Sequence, residues 1–402
     1  MHTDKNINNH VVIVGAGPVG LAAALFLVSK KIAVTVLEEN RELSTDMRAS
    51  TFHPPTLDML KPYGVAEALV SEGHKAQKWQ YLRRDTGDAA IFDLSVLDDL
   101  TDHPFRLQCE QFRMTRAVVE VLKDEPLFQI QFGTRVIDVL DKGDHVQVIA
   151  EMEGEKQQYA GAFAIGADGA RSIVRQSLDF DFAGETYPKT SITVVVDFPF
   201  EKHVPDMLHV NYVWTKDDYY SLMRVKEYWR TGFSPHDDQT VEEALSDDNI
   251  QQHLNRILPM DKPFSVVHRA AYTIQRRVAP SFQEGRIILA GDSAHLNNPS
   301  GGMGMNSGIH DAHNAVQCIA DIFAGADMDR FDLYSKQRRT IALEEVQKRA
   351  DNSCKLLREK DSATREKVWK NFKKITSDRK AMREFLLGSS MIGSLQRASK
   401  IR

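Results

Sequence analysis

Apolar and polar positions follow two different periods along this chain. Residues 11–14 are an unbroken apolar run, residues 33–37 are apolar apart from Thr35, and residues 21–28 between them are apolar and rich in small side chains. Runs of these lengths divided by glycines predict strand, helix and strand, with the strands buried on both faces. The pattern returns at residues 163–166 and 286–290. After the second of these, Ile309, Ala312, Val316, Ile319 and Phe323 recur at helical spacing and predict a long one-faced helix. Residues 191–198, 207–214, 219–225 and 229–233 instead alternate with period two between charged or Pro-containing turns, which predicts an antiparallel sheet. From about residue 330 the chain becomes charge-dense helix, its basic residues mixed with acids and apolar positions.

The punctuation between the apolar runs carries the candidate chemistry. Gly15, Gly17 and Gly20 have GxGxxG spacing, and Pro18 stands where the helix opens. In that pattern the first glycine serves a tight turn, the second a close approach to phosphate, and the third close helix packing. A pyrophosphate would sit on the helix N-terminus. Glu38 follows Gly20 by 18 residues, with Glu39 next to it, and stands where a carboxylate takes the hydroxyls of an adenosine ribose. Residues 11–28 carry no charge and have the length of a membrane span or signal sequence. Three glycines and a proline at fingerprint spacing, without a cleavage site, argue for nucleotide binding instead.

The stretch GRIILAGDSAHLNNPSGGMGMNSG, residues 285–308, leads from a strand through Asp292 to a Pro-Gly-Gly turn and a helix. Asp292 would present a carboxylate to a ribityl hydroxyl, while Gly301, Gly302 and Gly304 let bare backbone approach a flat ring system. The free N–H groups near Gly304, Met305 and Asn306 would stabilise negative charge on a reduced flavin. In FAIGADGARSIVRQSL, residues 163–178, Asp168 stands at the end of another short apolar strand.

These three segments, in this order and spacing, resemble the single-component FAD-dependent aromatic hydroxylases of the para-hydroxybenzoate hydroxylase type. The resemblance implies an α/β fold with a Rossmann-like FAD-binding domain, an inserted antiparallel-sheet substrate domain and a helical C-terminal region. It implies FAD, NADH or NADPH as co-substrate, molecular oxygen, and insertion of one oxygen atom into an electron-rich aromatic or N-heteroaromatic small molecule. Within it, Gly15, Gly17, Gly20 and Glu38 match the ADP-binding half, Asp168 the motif that serves FAD and pyridine nucleotide together, and Asp292 the ribityl ligand. Pro299 matches the proline near the reacting face of the flavin. Gly302, Gly304, Met305 and Asn306 match the loop along its pyrimidine edge, and Arg48 and Gln111 match two further cofactor contacts. Ser293, where alanine is more usual, and the loop methionines Met303 and Met305 depart from the pattern. A reductase or halogenase of the same fold is the alternative, although the WxWxIP motif of the halogenases is absent. A non-catalytic FAD-holding protein whose C-terminal helices bind a partner is the reading from another class.

Composition narrows these readings by exclusion. At 402 residues and 42% hydrophobic, the chain can bury a large core. A net charge of −5 speaks against a nucleic-acid binder. Cys109, Cys318 and Cys354 are scattered and lack CxxC spacing, which argues against a disulfide framework or zinc site and fits a reducing cytoplasm. His310 and His313 lie one helical turn apart without the carboxylate of an HExxH motif, so packing is expected of them and no metal. The expected partners are small molecules, without nucleic acid or stable membrane insertion, and a homodimer stays open.

Segments near residues 15, 168 and 292 must meet at one FAD, so the chain must leave the cofactor domain and return to it. The expected division is 1–75, 105–180 and 268–330 for the FAD-binding domain, 76–104 and 181–267 for the substrate domain, and 331–402 for the helical region. In residues 219–224, Tyr220, Leu222 and Arg224 share one face, and Tyr219, Ser221 and Met223 the other. If the first face looks at the flavin, Arg224 holds a substrate carboxylate with Tyr220 beside the ring. Either His209 with Asn211 or Tyr212 with Trp214 then faces the same space. Arg224 reads equally well as a salt-bridged surface residue.

Overall fold

The protein is described by a computed structural model covering residues 7–402 apart from Arg48, Asp217 and Asp237. Strands Ile287–Leu289, Phe163–Gly166, His10–Val14, Ala33–Leu37 and Phe128–Gln131 lie in that spatial order as a parallel sheet, with Gln283–Glu284 antiparallel at one edge. The first four of these parallel strands are nearly continuous in apolar residues because they are buried on both faces, whereas Phe128–Gln131 at the edge is half-buried and carries two glutamines. Helix Pro18–Ser29 begins with its proline at the first turn, packs against helix Gly304–Phe323, and buries every residue of its 20–28 stretch. A helix apolar all round is thus a core helix here. Among the described residues no helix is long and apolar enough to cross a membrane.

A second sheet of seven strands has the order Ser265–Tyr272, Ser191–Asp197, Tyr228–Phe233, Tyr219–Val225, Val210–Trp214, Lys78–Arg83 and Ala89–Asp93. It is antiparallel except where Val210–Trp214 runs parallel to Lys78–Arg83, the pair that joins chain segments far apart in sequence. Strand Ser265–Tyr272 belongs to it, so the division expected between residues 267 and 268 falls inside a strand. Side chains on one face, among them Tyr220, Leu222 and Trp229, pack with Ile250, Leu254 and Ile257 of helix Asp247–Ile257. Trp79, Tyr81 and Phe92 on the outer strands pack with Phe372 and Phe385 of helices Ser362–Ser377 and Arg379–Ser389. The charge-dense C-terminal region therefore contributes an apolar stripe that covers the far end of this sheet.

Two buried histidines tie stability to pH. His253 stacks on Phe233 at 3.8 Å and hydrogen bonds Thr231, and burial lowers its pKa from 6.5 to about 3. His53 is lowered to about 3 by burial and then by the nearby Arg106 guanidinium. A pKa depressed in the folded state means the unfolded chain binds the proton first. The stabilisation is whole above 6.5 and is lost as pH falls toward 3. Each group can add a slope of up to about 1.4 kcal/mol per pH unit in that window. Urea midpoints should fall steadily across it and His253→Gln should flatten the decline; an unchanged slope would remove His253 as a source.

Candidate functional site

A cavity of about 450 Å³ runs from the Gly17–Pro18–Val19 turn, past Asp292 and the loop 296–305, to the inner face of the seven-stranded sheet. At the nucleotide end, Gly15 has φ +101°, and a Cβ there would stand 2.6 Å from the Ala167 carbonyl oxygen. A Cβ on Gly17 would meet nothing within 4 Å, so that turn keeps open space in front of an uncapped helix. Glu38 ends its strand beside the turn and accepts hydrogen bonds from the N–H groups of Ala16 (2.7 Å) and Asn40 (3.0 Å). Glu39 is exposed. Arg48 lies outside the described residues.

Asp168 sits between the cavity-lining residues Ala167 and Gly169. Its Oδ2 accepts from the N–H groups of Ile173 and Val174 at 2.7 and 3.2 Å, and burial raises its pKa. Gln111 opens helix Gln111–Leu122, donates its N–H to the Ala49 carbonyl at 2.9 Å, and lines the cavity. Asp292 lines it at the end of strand Ile287–Leu289. Ser293 is buried; its Oγ lies 2.6 Å from the Gly166 carbonyl oxygen and accepts from the Ala290 N–H at 3.1 Å. The extra hydroxyl therefore stitches two strand ends together.

The Pro299–Gly302 turn closes with a 3.0 Å bond from the Gly302 N–H to the Pro299 carbonyl, and Gly301 and Gly302 have φ of +91° and +65°. Pro299, Gly302, Gly304 and Met305 line the cavity. Asn306 acts differently from a side-chain ligand. It is fully buried, accepts from the His53 N–H at 2.8 Å, and donates to the carbonyls of Thr51 (2.8 Å) and Gly302 (2.7 Å). Its amide fastens the glycine loop, leaving the main chain of helix Gly304–Phe323 to face the cavity with no side-chain cap. Behind that turn, Asp311 accepts from Gly291 N–H (3.1 Å), His295 Nε2 (2.8 Å) and Arg338 Nε (2.5 Å). Burial pulls the Asp311 carboxyl upward, but Arg338 and His295 outweigh it and hold it below the usual carboxylate range. His310, the residue before it on the same helix, bonds Thr56 at 3.0 Å, and His313, one turn after His310, meets Phe26 edge-on.

These residues fit FAD. The glycine turns leave room for backbone contact, and the buried Asn298 Nδ2 and Asp168 Oδ1 have no protein partner among the described residues.

The substrate side corrects the expected face. Tyr219, Ser221 and Met223 line the cavity, and Tyr220, Leu222 and Arg224 point away. Helix Asp247–Ile257 needs an apolar surface to cover, and Tyr220 and Leu222 supply it. Arg224 pairs with Glu201 at 2.6 Å and lies over Trp229. His209 hydrogen bonds the Lys75 carbonyl at 3.3 Å beside His74, outside the cavity lining. Of the two alternatives on the neighbouring strand, the parity of Tyr212 faces the cavity, with Val210 beside it.

Among the described residues the cations at the cavity are Arg106, Arg230 and Arg358, none of which the sequence singled out. Arg230 donates to Ser50 Oγ at 3.1 Å. Arg358 donates to Tyr219 Oη (3.0 Å) and Ser234 Oγ (2.9 Å). The signal for Arg230 and Met223 was present as strand parity. Arg106, on the three-residue strand Arg106–Gln108, had none.

The model of the FAD binding domain family matches residues 8–349. Para-nitrophenol 4-monooxygenase of Pseudomonas sp. (strain WBC-3) is 30% identical over 383 residues, covering 94% of this chain and 94% of that protein. The 6-hydroxy-3-succinoylpyridine 3-monooxygenase HspB of Pseudomonas putida (strain DSM 28022 / S16) is 30% identical over 388 residues, 95% and 97% of the two chains. The chain belongs to the FAD-dependent aromatic monooxygenases. The crystal structure of p-nitrophenol 4-monooxygenase PnpA from Pseudomonas putida DLL-E4 superposes with a TM-score of 0.88 at 29% identity, over 94% of this chain and 96% of that one. As a member of this family the protein is a flavoprotein oxidoreductase that uses FAD to hydroxylate an aromatic ring. The α/β fold and the FAD cofactor expected from the sequence agree with these findings.

Proposed function

We propose that the protein hydroxylates a small phenol or hydroxylated N-heteroaromatic ring with NAD(P)H and molecular oxygen. The observation that carries this reading is the single cavity joining the nucleotide turn, the glycine loop and the sheet face. Gly15, Gly17, Gly20, Glu38 and Asp168 would hold the ADP half of FAD, and Asp292 the ribityl chain. The main chain at Gly302, Gly304 and Met305, with Pro299, would hold the ring. Bound FAD, reduced by NAD(P)H, supplies the oxygen chemistry that no protein side chain provides.

The chain's own part is to position the ring and keep water out. Val210, Tyr212 and Met223 present a largely apolar ceiling, and Leu357 of helix Lys348–Arg358 closes one side. The Arg358 contacts with Tyr219 and Ser234 pin that helix to the sheet. Relatives named for p-nitrophenol, a hydroxylated pyridine and pentachlorophenol support a ring bearing an acidic hydroxyl. The division into a discontinuous FAD domain, a substrate domain and a helical cover is part of this reading, as is a cytoplasmic setting that suits three buried free thiols. A homodimer is compatible with it.

A screen of nitrophenols, chlorophenols and hydroxypyridines should find rings that accelerate NAD(P)H oxidation by the yellow holoenzyme and leave a product with a new ring oxygen, either one oxygen heavier or with nitrite or chloride released. Stimulated oxidation with no oxygenated product from any ring would overturn the assignment.

A further inference from the structure

The cavity contains a cation for which the described residues supply no counter-ion. Arg106 is 4% exposed, lines the cavity, and among the described residues pairs with no carboxylate; its Nε has no hydrogen-bond partner. Its guanidinium lies over the Trp79 ring at 4.4 Å, which fixes its plane. Two positions along the same strand, and therefore on the same face, Gln108 is fully buried. Its Oε1 accepts from Thr51 Oγ1 at 3.1 Å, while its Nε2 is without a partner.

Among the described lining residues the other two cations are already engaged. Arg230 and Arg358 already donate to Ser50, Tyr219 and Ser234. Among the described lining residues the carboxylate is Asp292, at the other end, in the turn that follows strand Ile287–Leu289. His53, adjacent to Arg106, is kept neutral by burial and by that guanidinium. A buried cation and a buried amide donor left unmatched are costly unless a ligand completes them.

We propose that Arg106, with Gln108 beside it, is the anion subsite of the substrate cavity and selects rings that carry an ionised oxygen, a phenolate or a hydroxypyridine anion. This rests on the reading that the cavity holds the aromatic substrate. The planar guanidinium, stacked on Trp79, presents its remaining N–H edge to the anion, and Gln108 Nε2 adds a donor along the same face. Holding the ionised form also keeps the ring electron-rich, which is the state an electrophilic oxygen requires. Arg106 is thus a specificity-determining residue, in the role that Arg224 was expected to fill.

The test is binding to the oxidised, FAD-loaded holoenzyme, read from the flavin absorption spectrum. The probes are 4-nitrophenol and pentachlorophenol, which ionise at working pH, each paired with its O-methyl ether, which has the same ring and no ionisable oxygen. Wild type should prefer each anion to its ether. Arg106→Met should weaken anion binding about ten- to a hundredfold and leave ether binding nearly unchanged. Arg106→Lys should restore part of the preference, and Arg106→Gln, which keeps a donor without the charge, should behave like the methionine variant if that one fails to fold. Equal anion affinity in wild type and variants would overturn the proposal. So would loss of FAD with the anion preference intact, because Arg106 would then be a flavin ligand. A wild-type holoenzyme that binds no member of the panel, ionised or methylated, would instead overturn the substrate reading and the anion subsite with it.

Discussion

Arg338→Met is expected to destabilise the protein by about 3–5 kcal/mol, among the largest effects of any single substitution. Arg338 and Asp311 are 1% and 0% exposed at the side chain, and the guanidinium reaches both the Asp311 carboxylate and Ser307. Removing the cation leaves a carboxylate in the core with only His295 and the Gly291 N–H to answer it. Because Gly291 precedes Asp292 and Ser307 lies in the first turn of helix Gly304–Phe323, the loss should also loosen the flavin end of the cavity. Urea unfolding measures the first effect and FAD retention on gel filtration the second. The double variant Asp311→Leu with Arg338→Met should recover part of the stability, since a buried charge with no partner costs more than the absent pair. A single variant within 1 kcal/mol of wild type would mean that water or His295 already satisfies Asp311.

Gly15→Ala is expected to abolish FAD retention while the second sheet still forms. The added Cβ would enter the Ala167 carbonyl at 2.6 Å, and φ of +101° is strained for any L side chain. Both parties are backbone, so neither can rotate away. The glycine turn would have to move off the strand end Phe163–Gly166, taking the helix N-terminus and the Asp168 loop with it. Gly17→Ala is the internal comparison, because a Cβ there meets open space and would be felt only by bound cofactor. Purified Gly15→Ala should be colourless and bind added FAD at least about a hundredfold more weakly, an effect above 2.7 kcal/mol. Wild-type flavin content would contradict the geometry of this turn.

The cofactor half of the fold was legible because its constraints are local. Gly15, Gly17 and Gly20 answer to a turn within six residues, and the helix Gly304–Phe323 announces itself through its own periodicity. The substrate half was legible as strands and illegible as a surface. Period two separates Tyr219, Ser221 and Met223 from Tyr220, Leu222 and Arg224 but does not say which set meets the cavity. Helix Asp247–Ile257 decides that, and its apolar positions Ile250, Leu254 and Ile257 were the available clue. Arg224 could not be placed from sequence because its partner Glu201 stands 23 positions earlier on a different element. Arg106 was invisible for a related reason: Trp79, which orients it, and Ala76, which pairs with it, arrive from another strand and turn. Asn306 was read from sequence for its main-chain N–H; the use of its side-chain amide on three backbone groups brought from residues 51, 53 and 302 could not be read there.

The central claim is that this cavity inserts an oxygen atom from molecular oxygen into an aromatic ring. The most direct test is turnover of the best ring from the substrate screen under isotopically labelled oxygen gas, with NAD(P)H consumption followed in parallel. One labelled oxygen atom is expected in each product, with one NAD(P)H oxidised per product where the ring only gains a hydroxyl and two where a leaving group departs and the quinone is reduced. A product carrying its new oxygen from water, or a ring reduced without oxygen uptake, would contradict the claim.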